Sequence, residues 1–215
     1  METVIEVKDV TKNVKGKNLI QNITFQVKKG SIIGIIGRNG SGKTVLMKCI
    51  CGFMKPSSGK IIVNGKQVGE NAKLASNMGI LIENPGFLSN YSGYRNLKFL
   101  ADIERKIGKK EIREYMKLVG LDPDNRKPVK HYSLGMRQRL AIAQSIMEEQ
   151  DIVILDEPMN GLDNMGVNDM RQLFLKLKEQ GKTILLTSHM KEDIDILCDE
   201  VYMMEAGNLE AIPSS

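Results

Sequence analysis

Apolar residues recur along this chain at two spacings, and the switches between them mark the elements. Near the start, Ile23, Phe25 and Val27 alternate with polar residues, the period of a half-buried strand, and the first 30 residues read as strands. Ser31 to Ile36 is a short, strongly apolar strand that enters a glycine-rich turn. From about Gly42 to Cys51, Val45, Leu46, Cys49 and Ile50 share one helical face, and Gly52 is placed to stop the helix. Between Gly59 and Val68, Asn64-Gly65 predicts a tight hairpin, because both positions tolerate positive φ.

From about Tyr94 to Gln150 the spacing is mainly helical. Leu97, Leu100 and Ala101 mark one helix; Ile112, Tyr115, Met116 and Val119 mark the next. Gly120 to Lys130, with Pro123 and Pro128, interrupts as a loop, and Ser133 stands as the N-cap of a long helix through Leu140, Ala143 and Met147. Two buried strands follow, Ile152 to Leu155 and Thr183 to Thr187. Met170, Leu173, Phe174 and Leu177 between them give a helix closed by Gly181. The order strand, turn, helix, long excursion, strand, helix, strand predicts an α/β fold with a parallel core sheet. A β part lies at its N-terminus and a helical insert in the excursion. No internal repeat or low-complexity segment interrupts it.

A length of 215 residues suits one domain, and 41% apolar with 27% charged residues suits a packed core. With no Trp and 13 Met, aliphatic and flexible side chains fill that core. The net charge of +5 comes from bases mixed with acids. The densest stretch, Glu104 to Lys117, reads as a solvated helical face rather than a nucleic-acid surface. Cys49, Cys51 and Cys198 form no metal or redox spacing and read as reduced thiols of a cytosolic protein. Met1 to Val10 has no secretory pattern, and no run of about 18 apolar residues exists to span a membrane. A membrane role would therefore need a second chain.

Gly37-Arg38-Asn39-Gly40-Ser41-Gly42-Lys43-Thr44 fits the phosphate-loop pattern at every fixed position, with an apolar strand before it and a helix after it. Glycines let backbone N–H groups turn toward phosphates, Lys43 neutralises the outer phosphates, and Thr44 offers a hydroxyl to Mg²⁺. The following helix points its positive end at the anion. Ile152 to Leu155 then places Asp156 and Glu157 at the carboxyl end of a central strand, where ligands bind in open α/β sheets. Asp156 suits Mg²⁺, directly or through water. Glu157 suits a general base that polarises an attacking water.

The segment His131 to Leu140 resembles the signature of the ABC ATPases, matching at Ser133, Gly135, Arg137, Gln138 and Arg139 and departing at Tyr132, Leu134 and Met136. A helix N-terminus capped by a hydroxyl can present N–H groups to a phosphate. The resemblance covers Val4 to Leu209. It implies a P-loop NTPase core with a parallel sheet, an N-terminal antiparallel β subdomain and a helical insert subdomain. Residues 1–215 then form a single ATP-binding domain, with the β-rich part at about 1–30 and 59–82 and the insert at about 84–150. It implies ATP and Mg²⁺ as ligands, and two subunits facing head to tail. ATP would lie between the loop of one subunit, residues 37–44 with Val45, and Ser133 and Gly135 of the other. Asn160-Gly161-Leu162-Asp163 resembles the loop whose Asp163 lies at the dimer seam. His189 resembles the histidine that contacts the γ-phosphate and holds Glu157 and water in place.

Three further positions depart from the family pattern. Val14 stands where an aromatic residue often stacks on adenine, and Val45 stands where a second hydroxyl commonly meets the α-phosphate. Glu83, in Ile80-Leu81-Ile82-Glu83-Asn84-Pro85, replaces a Gln that senses Mg²⁺ and meets the membrane partner, and is expected to bind Mg²⁺ or water as a charged ligand beside Asp156 and Glu157. Glu83 and the Tyr132-to-Met136 variant together resemble the branch that exports, or confers immunity to, bacitracin-like and lantibiotic peptides. The implied partners are a second ATP-binding subunit and a transmembrane permease subunit, with no nucleic acid. The implied location is the cytoplasmic face of the cell membrane, with contacts near Glu83 to Asn96. No regulatory domain is expected after the Gly207-Asn208 turn. The alternatives are a non-transport ABC ATPase acting on ribosomes or chromosomes, or a GTPase or small-molecule kinase sharing only the phosphate loop.

Overall fold

A computed structural model of the chain describes residues 2–69, 77–83 and 86–213. Strands β1 (Thr3–Val14), β2 (Lys17–Lys28), β4 (Ser58–Val63) and β5 (Lys66–Gln67) form an antiparallel sheet in the order β2-β1-β4-β5. The β4–β5 turn is the one the sequence predicts: Asn64 and Gly65 take φ of 48° and 73°. A six-stranded sheet runs β10-β9-β3-β8-β7-β6. Its members are β3 (Ile32–Ile36), β6 (Met78–Leu81), β7 (Ile152–Leu155), β8 (Thr183–Thr187), β9 (Glu200–Glu205) and β10 (Asn208–Ile212). All its pairings are parallel except β9–β10, so the α/β class is as expected.

One strand changes place. The sequence groups the segment up to residue 82 with the β-rich part, but β6 pairs in parallel with β7 and belongs to the core sheet. Its run of four residues carries no periodic signal strong enough to say which sheet it joins; the partner decides. The helices are α1 (Lys43–Cys51), α2 (Gly93–Glu104), α3 (Lys109–Leu118), α4 (Leu134–Ile146), α5 (Asn164–Glu179) and α6 (Lys191–Leu197). Among the described residues no helix is long and apolar enough to cross a membrane.

The central strands read as unbroken apolar runs because both sheet faces are covered. Ile33, Ile35, Ile152, Ile154 and Leu185 face one side, packing with Leu46, Met47 and Ile50 of α1 and with Val7, Phe25 and Val63 of the antiparallel sheet. Ile32, Val153, Leu155, Ile184 and Leu186 face the other, packing with Leu140 and Ile146 of α4 and with Met170 and Phe174 of α5. Burying each such side chain contributes about 1.5–3 kcal/mol. Cys49 and Cys51 lie within the first of these cores, and burial pushes their thiols up to about 11 and about 12. They are packing residues, held as thiols.

Parallel registration sets up the rest. Since β3, β8 and β7 run side by side in one direction, the residues following Ile36, Thr187 and Leu155 emerge together at one edge. At the other edge of the layer, α4 lies so close to β6 that a Cβ on Gly79 would overlap the carbonyl oxygen of Ser145. Gly79→Ala is therefore expected to destabilise the fold by about 1–3 kcal/mol, the cost of overpacking a close helix–sheet contact. Urea unfolding followed by circular dichroism measures it; an unchanged midpoint would mean that the α4–β6 spacing is not fixed.

Candidate active site

The phosphate loop turns where only glycine fits. Gly37 has φ 153° and Gly42 has φ 116°; a Cβ on Gly37 would overlap Met204 O, and one on Gly42 would lie 2.8 Å from Leu19 O. The loop is thus pressed against β9 and β2 and opens into helix α1. Lys43 begins that helix, is buried, and donates through Nζ to the carbonyl oxygens of Gly37 and Arg38 at 2.6 and 3.2 Å. That ammonium is held inside the curl of the loop.

The acids at the end of β7 meet this loop directly. Thr44 Oγ1 donates to Asp156 Oδ2 at 2.7 Å, and Thr187 Oγ1 donates to Asp156 Oδ1 at 2.8 Å. The Thr187 hydroxyl also accepts the Glu157 N–H at 2.8 Å. Glu157 sits at φ 51°, a left-handed conformation that is strained for a residue with a Cβ. Gln138 of α4 holds it there, donating to the carbonyls of Glu157 and Pro158 at 3.2 and 2.9 Å. The result aims the Glu157 carboxylate back over the loop. Its Oε2 lies 2.8 Å from His189 Nδ1, and its Oε1 lies 3.8 Å from Lys43 Nζ, too far for a hydrogen bond. An ionised carboxylate only accepts, so in a bond to ionised Glu157 it is Nδ1 that carries the proton.

A cleft of about 690 Å³ fronts this group, lined by Lys17 to Leu19, Asn39, Gly40, Gly42 to Val45, Asp156, Glu157, Ala206 and Gly207. Among the described residues, Glu157 Oε1 of this cleft and Ser41 Oγ of the loop are buried without a hydrogen-bond partner. A loop of N–H groups, a buried ammonium, a hydroxyl–carboxylate pair and an unpaired carboxylate oxygen fit a magnesium nucleotide. Arg38, Asn39, Gly40 and Ser41 also line a second cleft with His189 on the other side of the loop.

The remaining expected residues fall into two places. Ser133 caps α4, its Oγ accepting Met136 N–H at 3.1 Å, and Gly135 follows in the first turn. Both lie in a separate cleft with Gly161, Leu162 and Asp163, not in the loop cleft. Asp163 caps α5 and accepts Gly166 N–H at 2.8 Å. Glu83 is not among the residues lining the loop cleft; it takes φ 57° and pairs with Lys48 of α1 at 2.6 Å. Asn84 and Pro85 of its segment lie outside the described residues. Val14 pairs with Lys17 across the β1–β2 hairpin, and the cleft wall there is Lys17, Asn18 and Leu19, with Val14 not among the lining residues.

Sequence reasoning missed Thr187 as the hydroxyl that ties Asp156 to Glu157. A polar residue closing the apolar run Ile184-Leu185-Leu186 was the available signal. It also missed Gln138 as a prop of Glu157 and Lys17 to Leu19 as the cleft wall. Those contacts join residues far apart in the chain.

The fold and this group of side chains define a phosphate-loop ATPase. The family described as ABC transporter matches residues 20–160. The chain is 41% identical over 211 residues to the bacitracin transport ATP-binding protein BcrA of Enterococcus faecalis, covering 97% of this chain and 68% of that one. It is 31% identical over 206 residues to the lantibiotic transport ATP-binding protein SrtF of Streptococcus pyogenes, covering 96% and 89%. A dimeric post-hydrolysis structure of the ATP-binding cassette MJ0796, bound to ADP and Pi, superposes with a TM-score of 0.89 at 20% identity, over 98% of this chain and 100% of that one; it shares the fold. The chain belongs to the ABC transporter family. It is an ATP-binding, ATP-hydrolysing transporter subunit, related to bacitracin and lantibiotic transport ATPases, and the ribosomal and chromosomal alternative is set aside.

Thr187→Val keeps the shape of the side chain and removes its hydroxyl. Asp156 then loses one donor and Glu157 N–H loses its acceptor. We expect a loss of about 1–3 kcal/mol in stability and roughly tenfold lower ATP turnover, read from thermal unfolding and phosphate release. Unchanged turnover would show that the hydroxyl does not hold the acids in working position.

Proposed function

We propose that this subunit hydrolyses ATP with Glu157 as the general base, and that the energy of ATP-driven pairing moves a peptide antibiotic outward through a separate membrane subunit. The observation that carries the chemistry is the Glu157 carboxylate, propped over the phosphate loop and held by His189. In this reading the phosphates rest on the N–H groups of residues 37–44 and on Lys43, with Val45 beside the α-phosphate. Thr44 and Asp156 would hold Mg²⁺, which supplies neutralisation of phosphate charge when bound. Glu157 takes a proton from the attacking water. His189, fixed by its Nδ1–H bond to Glu157, presents its other nitrogen to the γ-phosphate. Glu83, tied to Lys48, would act at the mouth of the site and in coupling rather than as a direct ligand beside Asp156.

One chain does not complete the phosphate cage, since Ser133 and Gly135 lie in a different cleft from the loop. Two subunits facing head to tail would bring each loop to the partner's Ser133 and Gly135, with Asp163 at the seam. ATP then joins them, because a ligand bound between two halves stabilises the closed state by mass action. Loss of the γ-phosphate contact would release them. The membrane partner would meet the surface from Glu83 to Asn96 and hold the subunit at the cytoplasmic face. The names of the relatives, bacitracin and lantibiotic transport proteins, support a peptide antibiotic as cargo.

Glu157→Gln keeps the side chain's size and removes the base. Turnover is expected to fall roughly 10²-fold or more, while nucleotide binding, followed with a fluorescent ATP analogue, survives. ATP should then trap a stable dimer, visible by gel filtration. Equal loss of binding and turnover would sink the assignment.

A further inference from the structure

Among the described residues, two charged side chains are buried without a part in the chemistry above. Arg171 of α5 and Asp193 of α6 are 5% and 1% exposed. Arg171 Nε and Nη2 both donate to Asp193 Oδ1, at 2.9 and 2.6 Å, and Nη2 also meets Glu192 Oε2 at 3.2 Å. The second oxygen of Asp193 is used too: Ser188 Oγ donates to Asp193 Oδ2 at 2.9 Å. The same Ser188 hydroxyl accepts Met190 N–H at 3.0 Å. Ser188 and Met190 are the two chain neighbours of His189. The buried pair therefore clamps the backbone on both sides of the histidine.

His189 needs such a clamp. Its side chain is 56% exposed, and the bond to Glu157 Oε2 is the one hydrogen bond it makes among the described residues. Packing alone does not fix a ring that stands largely in water, so its aim is inherited from its backbone. The charges of the clamp also call for a reason other than stability. Burying an ion pair carries a desolvation cost of several kcal/mol per ion, and an apolar pair of similar volume commonly holds two helices together as well or better. A charged pair adds direction: one carboxylate oxygen faces the guanidinium and leaves the other aimed at Ser188.

We propose that Arg171 and Asp193 are positioning residues for ATP hydrolysis, acting through Ser188 to hold His189 against Glu157. This rests on the assignment of Glu157 and His189 made above. The pair touches no substrate and sets where the histidine points. Small displacements matter in such a site: a shift near 1 Å can cost roughly 10²-fold in rate.

Steady-state ATPase kinetics of the full chain test it. Ser188→Ala leaves the ion pair intact and cuts its link to the histidine. Assayed at a temperature where the variant is fully folded, it is expected to lower kcat about tenfold with KM for ATP within about twofold, while Ser188→Thr restores kcat. The double variant Arg171→Leu/Asp193→Leu is expected to fold as stably as the parent and to remain slow. In a His189→Ala background, Asp193→Asn should lower kcat no further, because the clamp then has nothing to aim. A fully active Leu/Leu variant, or Ser188→Ala with kcat within twofold of the parent, would overturn the proposal and leave the pair a tie between α5 and α6. Independent, multiplying losses in the His189→Ala background would overturn it as well. His189→Ala alone with unchanged turnover would overturn it by a different route, since it removes the role of the histidine itself.

Discussion

Everything in this site depends on three parallel strands ending side by side. Strands β3, β8 and β7 are neighbours in one sheet and run in the same direction. Their carboxyl ends therefore deliver the phosphate loop, the Thr187–His189 turn and the Asp156–Glu157 turn to one edge. The order matters as much as the direction. Because β8 lies between the other two, Thr187 is within reach of the acid turn at the end of β7. Its single hydroxyl then donates to Asp156 and accepts from the Glu157 backbone. A different strand order would leave the same residues in the chain and no site.

On that edge, local strain and electrostatics work together. The loop is curled by glycines at φ values a side chain rarely adopts, and the curl brings two of its own carbonyls onto the Lys43 ammonium. Glu157 is forced into a left-handed conformation, and two side-chain bonds to its backbone offset the strain: Thr187 Oγ1 accepts its N–H and Gln138 Nε2 donates to its carbonyl. The carboxylate gains its aim from that strain. A relaxed backbone at this residue would send the side chain elsewhere. Gln138, on the helix that Ser133 caps, props the Glu157 turn through the carbonyls of Glu157 and Pro158.

The two clefts of the chain express a division of labour. The loop side carries the ammonium groups of Lys17 and Lys43 and the carboxylates of Asp156 and Glu157. The Ser133 side carries a helix N-terminus next to the Asp163 turn. Glu83 lies outside the loop cleft and pairs with Lys48. The ammonium of α1 neutralises its charge. The pair is exposed, and an exposed ion pair contributes at most about 1 kcal/mol, so it breaks readily when the surroundings change. That suits a residue at the junction between core and helical insert.

By itself the sequence determined the local pieces. The phosphate loop was legible because its glycines and Lys43-Thr44 lie within eight consecutive residues, and their chemistry depends on backbone turns set locally. Asp156 and Glu157 were legible because four apolar residues run straight into them, and Ser133 because an N-cap is a short-range device. Tertiary structure decided the rest. It placed β6 in the core sheet, put Lys17 to Leu19 on the cleft wall, joined Glu83 to Lys48, and joined Arg171 to Asp193 and Ser188. Each of those partners is distant in the chain or on another element. A hydrogen bond or ion pair leaves no periodic trace in the residues between its ends. Hydrophobic spacing records which face of an element is buried, and only packing determines what that face, or the charge beside it, is buried against.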